Sequence, residues 1–142
     1  MPANLIDELE CARLAVAWSF HIDRHANDAV IALFAEDGIL HGQAGFDGVG
    51  REAILKMLQK RSPNRVTRHV LAAPFIEMTG ADEARGVAAF TVYDGFRDQH
   101  EGDGPMPLLP AVTVGEFHQT YRRTADGWRI ATCRSVPVFK KP

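Results

Sequence analysis

Two side chains stand out as groups that could move a proton: Asp23, in HIDRHAND (21–28), and His69, in VTRHVLAAPFIEM (66–78). A neutral imidazole, with an unperturbed pKa of ~6.5, accepts a proton near neutral pH, and a buried carboxylate beside it fixes its tautomer and stabilises the imidazolium. Loss of a leaving group from the adjacent atom would then complete an elimination. The spacing of apolar residues bears on whether the two side chains meet. Leu5, Leu9, Ala12, Val16 and Phe20 recur at steps of four, three, four and four, as on one helix face. Asp23 follows Phe20 by three and falls within that stripe, so its carboxylate is expected to face the core. A helix that ended before Arg24 would instead leave Asp23 a solvated terminal acid.

Strand alternation places His69 with Thr67, Leu71, Ala73 and Phe75, and Arg68 on the opposite face. Alone, such a histidine also fits a core residue bonded to a carbonyl. An inward acid and an inward histidine together are a stronger signal, because each supplies the partner that the other requires when buried. A donor for the leaving group is expected on residues 85–96, from Tyr93 or Asp94, which lie on opposite faces of that strand so that only one can enter the pocket. His21 and His25 have the i, i+4 spacing of metal ligands, but no glutamate follows in HExxH form and no cysteine is close. They are read as surface residues, and no metal or other cofactor is expected. His41, His118 and Glu116 are further polar groups that the pocket could contain.

The elements that must position these groups divide the chain in two. A long helix over Leu5 to about Asp23 is followed by a shorter one over Ala29 to Phe34, capped by Asn27 or Asp28 and ended by Glu36, Asp37 and Gly38. A short strand over Ile39 to Ala44, the turn GFDGVG and a third helix, REAILKMLQKR, come next. Four stretches rich in β-branched and aromatic residues follow: Arg65 to Met78, Arg85 to Phe96, Ala111 to Thr124 and Trp128 to Phe139. The loop DQHEGDGPMPLLP between the second and third has a length that suggests a lid or binding segment. Helices first and an antiparallel meander afterwards imply an α+β domain with the helices packed on one face of a curved sheet.

The 142 residues suit one domain, and a formal net charge of −2 supplies no basic field for nucleic acid. No apolar run approaches the ~20 residues of a membrane helix, and the acidic start MPANLIDELE does not read as a signal peptide. A cytoplasmic location is expected, with Cys11 and Cys133 as free core thiols.

The order of motifs resembles the SnoaL-like branch of the nuclear-transport-factor-2-like superfamily. It runs nearly end to end: HIDRHANDAVIALFAEDG closing the first helix, GVGREAI opening the third, TRHVL in the first long strand and EFHQTYRRTADGWRIA in the last hairpin. The resemblance implies a cone-shaped, mostly antiparallel sheet wrapped around one pocket. It also implies kinship with cofactor-free lyases such as scytalone dehydratase, hexachlorocyclohexane dehydrochlorinase and bile acid dehydratases, whose acid and histidine match Asp23 and His69. Asp94 stands near where scytalone dehydratase has a histidine, and Trp18 where bile acid dehydratases have a tyrosine. The implied function is a dehydratase-type elimination on a small hydrophobic, cyclic or aromatic substrate; an isomerase, a polyketide-type cyclase or a non-catalytic binding module are the alternatives. Trp18, Phe20, Phe34, Leu40, Leu71 and Phe117 are the apolar groups expected to hold the substrate, although packing or a subunit contact is a second reading of Trp18. A stripe of Leu14, Trp18 and Ile22 beside the Leu5–Phe20 stripe leaves the first helix apolar on two sides, which points to a homo-oligomer, a dimer or trimer.

Overall fold

A computed structural model describes residues 4–142. Its helices are α1 (Leu5–Ile22), α2 (Asn27–Ala32) and α3 (Arg51–Leu58). The strands are β1 (Phe34–His41), β2 (Asp47–Val49), β3 (Arg65–Leu71), β4 (Phe75–Met78), β5 (Glu83–Phe96), β6 (Thr113–Thr124) and β7 (Gly127–Lys140). They form one seven-stranded sheet in the order β2-β1-β7-β6-β5-β3, with β4 also on β5. Among the described strands only the β1–β7 pair is parallel. This is the expected α+β cone: a curved, mostly antiparallel sheet with helices on its inner face. No helix among the described residues is long and apolar enough to cross a membrane.

Alternation on the central strands builds the interior. Ala84, Ala88, Phe90 and Val92 of β5 and Phe117, Gln119 and Tyr121 of β6 are buried, and Trp128, Ile130 and Cys133 of β7 complete that face. Both cysteines are free, and burial pushes each thiol up to about 12. The N-terminal turn of α1 is tied to the last hairpin through Asp7, which accepts from Trp128 Nε1 at 2.9 Å and pairs with Arg123 at 2.9 Å.

Several elements differ from their sequence reading. The buried face of α1 carries Cys11, Ala15, Trp18 and Ser19, whereas Leu9, Val16 and Phe20 are 61%, 49% and 49% exposed. With apolar residues on both sides of the helix, periodicity could not choose between the faces, and the small residues lie inward because they let α1 approach the sheet. The second helix begins earlier than expected, with Ala26 at its N-cap and no side-chain cap. Phe34 to Gly38 lie in β1 rather than in a helix and its stop. The expected single strand 65–78 is divided at Ala72–Pro74, where proline supplies no ladder donor, and its two halves pair with successive parts of β5.

Gly38 marks the bend that lets β1 leave the core and reach the cavity rim. The β1–β7 register shifts between Phe34 and Ile39, and the Gly38 carbonyl accepts from Gly50 N at 2.7 Å. A Cβ at Gly38 would meet Phe34 Cδ1 at 2.9 Å, Ala35 O at 3.0 Å and Ile130 O at 3.1 Å, two of them backbone atoms that cannot rotate away. Gly38→Ala is therefore expected to destabilise the fold by about 1–3 kcal/mol. The loss should appear as a lower urea midpoint at unchanged denaturant slope.

Candidate active site

α1 ends where its inner line of residues, Cys11, Ala15 and Ser19 at steps of four, reaches Asp23. Asp23 is the C-cap, its amide donating to Ser19 O at 3.0 Å, and its side chain is 4% exposed. The turn beyond it is held by His25, which takes a positive φ of 53° and places Nε2 2.7 Å from the Arg65 carbonyl at the start of β3. This part-buried anchor replaces the surface role expected for His25. It brings the C-terminus of α1 against the inner face of β3.

There the carboxylate meets three donors from two residues. Thr67 Oγ1 donates to Asp23 Oδ1 at 2.7 Å, the His69 amide donates to Oδ2 at 2.8 Å, and His69 Nδ1 lies 2.6 Å from Oδ1. Burial alone would raise the Asp23 pKa, but the bonds from the His69 ring, the His69 amide and Thr67 outweigh it and hold the carboxyl below its usual range. An ionised Asp23 accepts only, so Nδ1 of His69 carries the proton of the neutral ring and Nε2 keeps its lone pair. Arg61 donates to Thr67 Oγ1 at 3.2 Å and to Ile22 O at 2.7 Å, which leaves the threonine proton directed at Asp23. Thr67 was visible as a same-face neighbour of His69; Arg61 had no sequence signal, because its place depends on how α3 meets the end of α1.

His69, with its side chain 12% exposed, lies on the wall of a cavity of about 390 Å³. Its ring packs edge-on to Phe90 at 5.4 Å and tilted against Phe117 at 5.5 Å, and those two rings stack on each other at 4.3 Å. Trp18, Leu40, Val92 and Phe117 are among the other lining groups. Trp18 is buried, edge-on to Phe34 and Phe117, with its indole N–H lacking a partner among the described residues. His41 also lines the cavity; its Nδ1 is 3.1 Å from Asp47 Oδ2 but not in hydrogen-bonding geometry.

Other expected site residues lie elsewhere. Phe20 is on the outer face of α1 beneath the Arg24 guanidinium, 3.6 Å from its ring centre. Phe34 is fully buried behind Trp18, and Leu71 packs at the edge of the core; neither lines the cavity. Tyr93 pairs with Arg68 on the outer side of the sheet, and Asp94 pairs with Thr67 on the inner side. Asp94 does not reach the cavity because Arg65 holds it, Nε and a terminal nitrogen lying 3.1 and 3.0 Å from Oδ2. Loop 97–112 does not cover this cavity: Met106 to Leu109 form a separate cleft with Val66, Arg68, Tyr93 and Gly95 on the other side of the sheet. Glu116 and His118 pair with each other in the open, 3.1 Å apart. No three histidine, cysteine or acidic side chains converge on a metal position among the described residues.

A curved sheet closed by helices around an inward acid and histidine defines the class of fold. Residues 3–134 match the SnoaL-like domain family, and the chain belongs to it. Solved structures share the architecture at low identity. A candidate scytalone dehydratase from Novosphingobium aromaticivorans superposes with a TM-score of 0.79 at 18% identity, over 97% of this chain and 88% of that one. A hexachlorocyclohexane dehydrochlorinase of type 3 from Novosphingobium barchaimii gives 0.75 at 12% identity, over 94% and 88%. A protein of unknown function with a cystatin-like fold from Nostoc punctiforme gives 0.73 at 23%, over 96% and 95%. No curated protein matches the chain by sequence.

Asp23→Asn tests the electrostatics directly. The variant offers one acceptor oxygen and a misplaced NH2 to three donors, so it should be less stable at neutral pH by about 1–3 kcal/mol. Because folding lowers the Asp23 pKa, the carboxylate's contribution is complete above the unfolded value of about 3.9 and is lost as pH falls through the folded one. Urea midpoints of the two proteins should therefore converge in acid. A gap that stays constant from neutral to acid pH would mean that the charge contributes nothing.

Proposed function

We propose that the protein is a cofactor-free lyase in which His69 Nε2 removes a proton from a small hydrophobic substrate and Asp23 orients and stabilises the ring. The observation that carries this reading is the 2.6 Å contact between Asp23 and His69 Nδ1 on the wall of an apolar cavity. The oriented carboxylate becomes a closer ion partner once the ring is protonated, which lowers the barrier to proton transfer. Among the described residues, no carboxylate, phenol or thiol lines the cavity. Neither Tyr93 nor Asp94, of which one was expected as the donor, is among the lining groups, and the imidazolium takes that part: the proton taken from carbon at Nε2 is returned to a departing hydroxyl, which leaves as water. A halide would leave as the anion, and the imidazolium would then release its proton to water. The candidate dehydratase and the dehydrochlorinase among the similar folds support elimination as the reaction class.

The test is a panel of hydroxylated aromatic, steroid-like and halogenated cyclic compounds followed by mass spectrometry. Turnover should register as loss of water or hydrogen halide. His69→Ala should lower kcat by at least about a hundredfold with the fold retained. Substantial activity in that variant would remove the mechanism. A product of unchanged mass in ordinary water that carries deuterium when formed in heavy water would identify an isomerase instead.

A further inference from the structure

The charged lining of the cavity is of one sign. Arg61, Arg65 and Lys140 contribute to it, and no aspartate or glutamate does among the described residues. Asp23 is sealed behind the imidazole with its oxygens already accepting three bonds. Asp94 offsets Arg65, but both of that guanidinium's contacts fall on a single carboxylate oxygen. Arg61 donates only to neutral acceptors, the Ile22 carbonyl and the Thr67 hydroxyl. Burial, and then the like charge of Arg65, press the Arg61 pKa downward, and the charge of Asp23 behind Thr67 offsets them only in part, as for a cation at the edge of an apolar space. Guanidinium groups placed in this way are suited to a planar or tetrahedral oxyanion, for which their donors are already in a fixed fork.

We propose that the substrate carries an anionic oxygen group, bound on the Arg61 and Arg65 side of the cavity, with its apolar ring against Trp18, Phe90 and Phe117. Lys140 adds charge at the rim. The assignment rests on the same cavity as the proton-transfer reading but on different side chains. It also gives those cations a part in the chemistry, since negative charge that builds on the substrate as His69 takes a proton is drawn toward them. The shared feature of the ligand is the oxyanion, and a carboxylate and a phosphate ester are its two sources.

Calorimetric titration of the intact protein with 2-naphthoate, 2-naphthyl phosphate and 2-naphthalenemethanol separates head group from ring. At least one anion should bind about tenfold or more tightly than the alcohol, and the tighter of the two identifies the source. Its affinity should fall as salt is raised from roughly 0.02 to 0.5 M, while that of the alcohol holds. Arg65→Gln should weaken the anion about tenfold without changing the alcohol, and Asp94→Asn, which removes the competing carboxylate, should tighten it. Equal binding of alcohol and anions, no binding of any probe, or an Arg65→Gln protein that keeps full anion affinity would overturn the proposal. The preference for the anion should persist in His69→Ala, so the binding assay and the turnover assay can fail independently.

Discussion

The position of one carboxylate constrains most of this molecule. Asp23 is an ionised group almost out of contact with solvent, and such a group is tolerated only where its oxygens are fully engaged. All three of its donors come from Thr67 and His69, alternate residues on the inner face of one strand. The end of α1 is therefore fixed to β3 in position and in direction. Arg61 and His25 add bonds across the same junction, to Ile22 O and Arg65 O. The same geometry that satisfies the acid sets the tautomer of the histidine, so structural need and chemical function are met by one set of contacts.

The surroundings of the imidazole strengthen this arrangement. Phe90 and Phe117 stack on one another and both pack against the imidazole, which leaves it little room to turn away from Asp23. Apolar walls also lower the local dielectric, so each fixed charge in the cavity acts over a longer distance than it would in water. That applies to the carboxylate behind the ring and to the arginines that line the cavity. The cavity thus holds both signs of charge in fixed places: Asp23 behind the base, and Arg61 and Arg65 on the wall that a ligand meets.

How far these features could be read from sequence depends on the range of the signal. Two-residue alternation on β3 is local and strong, and it placed His69 and Thr67 on the apolar face without knowledge of the partner strand. The α+β class and the long strands of the second half followed from composition of the same local kind. Phe34 reads as helical in sequence because the apolar run 29–34 has no punctuation between α2 and β1, and only pairing with Ile130 makes it a strand residue. Alternation puts Tyr93 and Asp94 on opposite faces, but proximity to Arg65, which no local pattern carries, holds the inward Asp94 at the side. The path of loop 97–112 rests on contacts of Met106 and its neighbours with the outer face of the sheet, which no local pattern encodes.

Asp23 continues the small-residue line of α1 and not the Leu5–Phe20 stripe, and the physical reason bears on how the site is built. Large residues such as Leu9, Val16 and Phe20 would hold a helix away from the sheet if they faced it, whereas Cys11, Ala15 and Ser19 allow a close approach. Asp23 continues that small-residue line by one further step of four, so the short aspartate side chain can span the remaining gap to Thr67 and His69. Trp18 and Ile22 flank the line and meet the cavity, where bulk is needed to form a wall. The inner face of α1 thus grades from small residues that set the helix-to-sheet distance to an acid that depends on it. A helix packed on its bulkier side would have the same hydrophobic content, but its terminal carboxylate would be too far from β3 to orient the histidine.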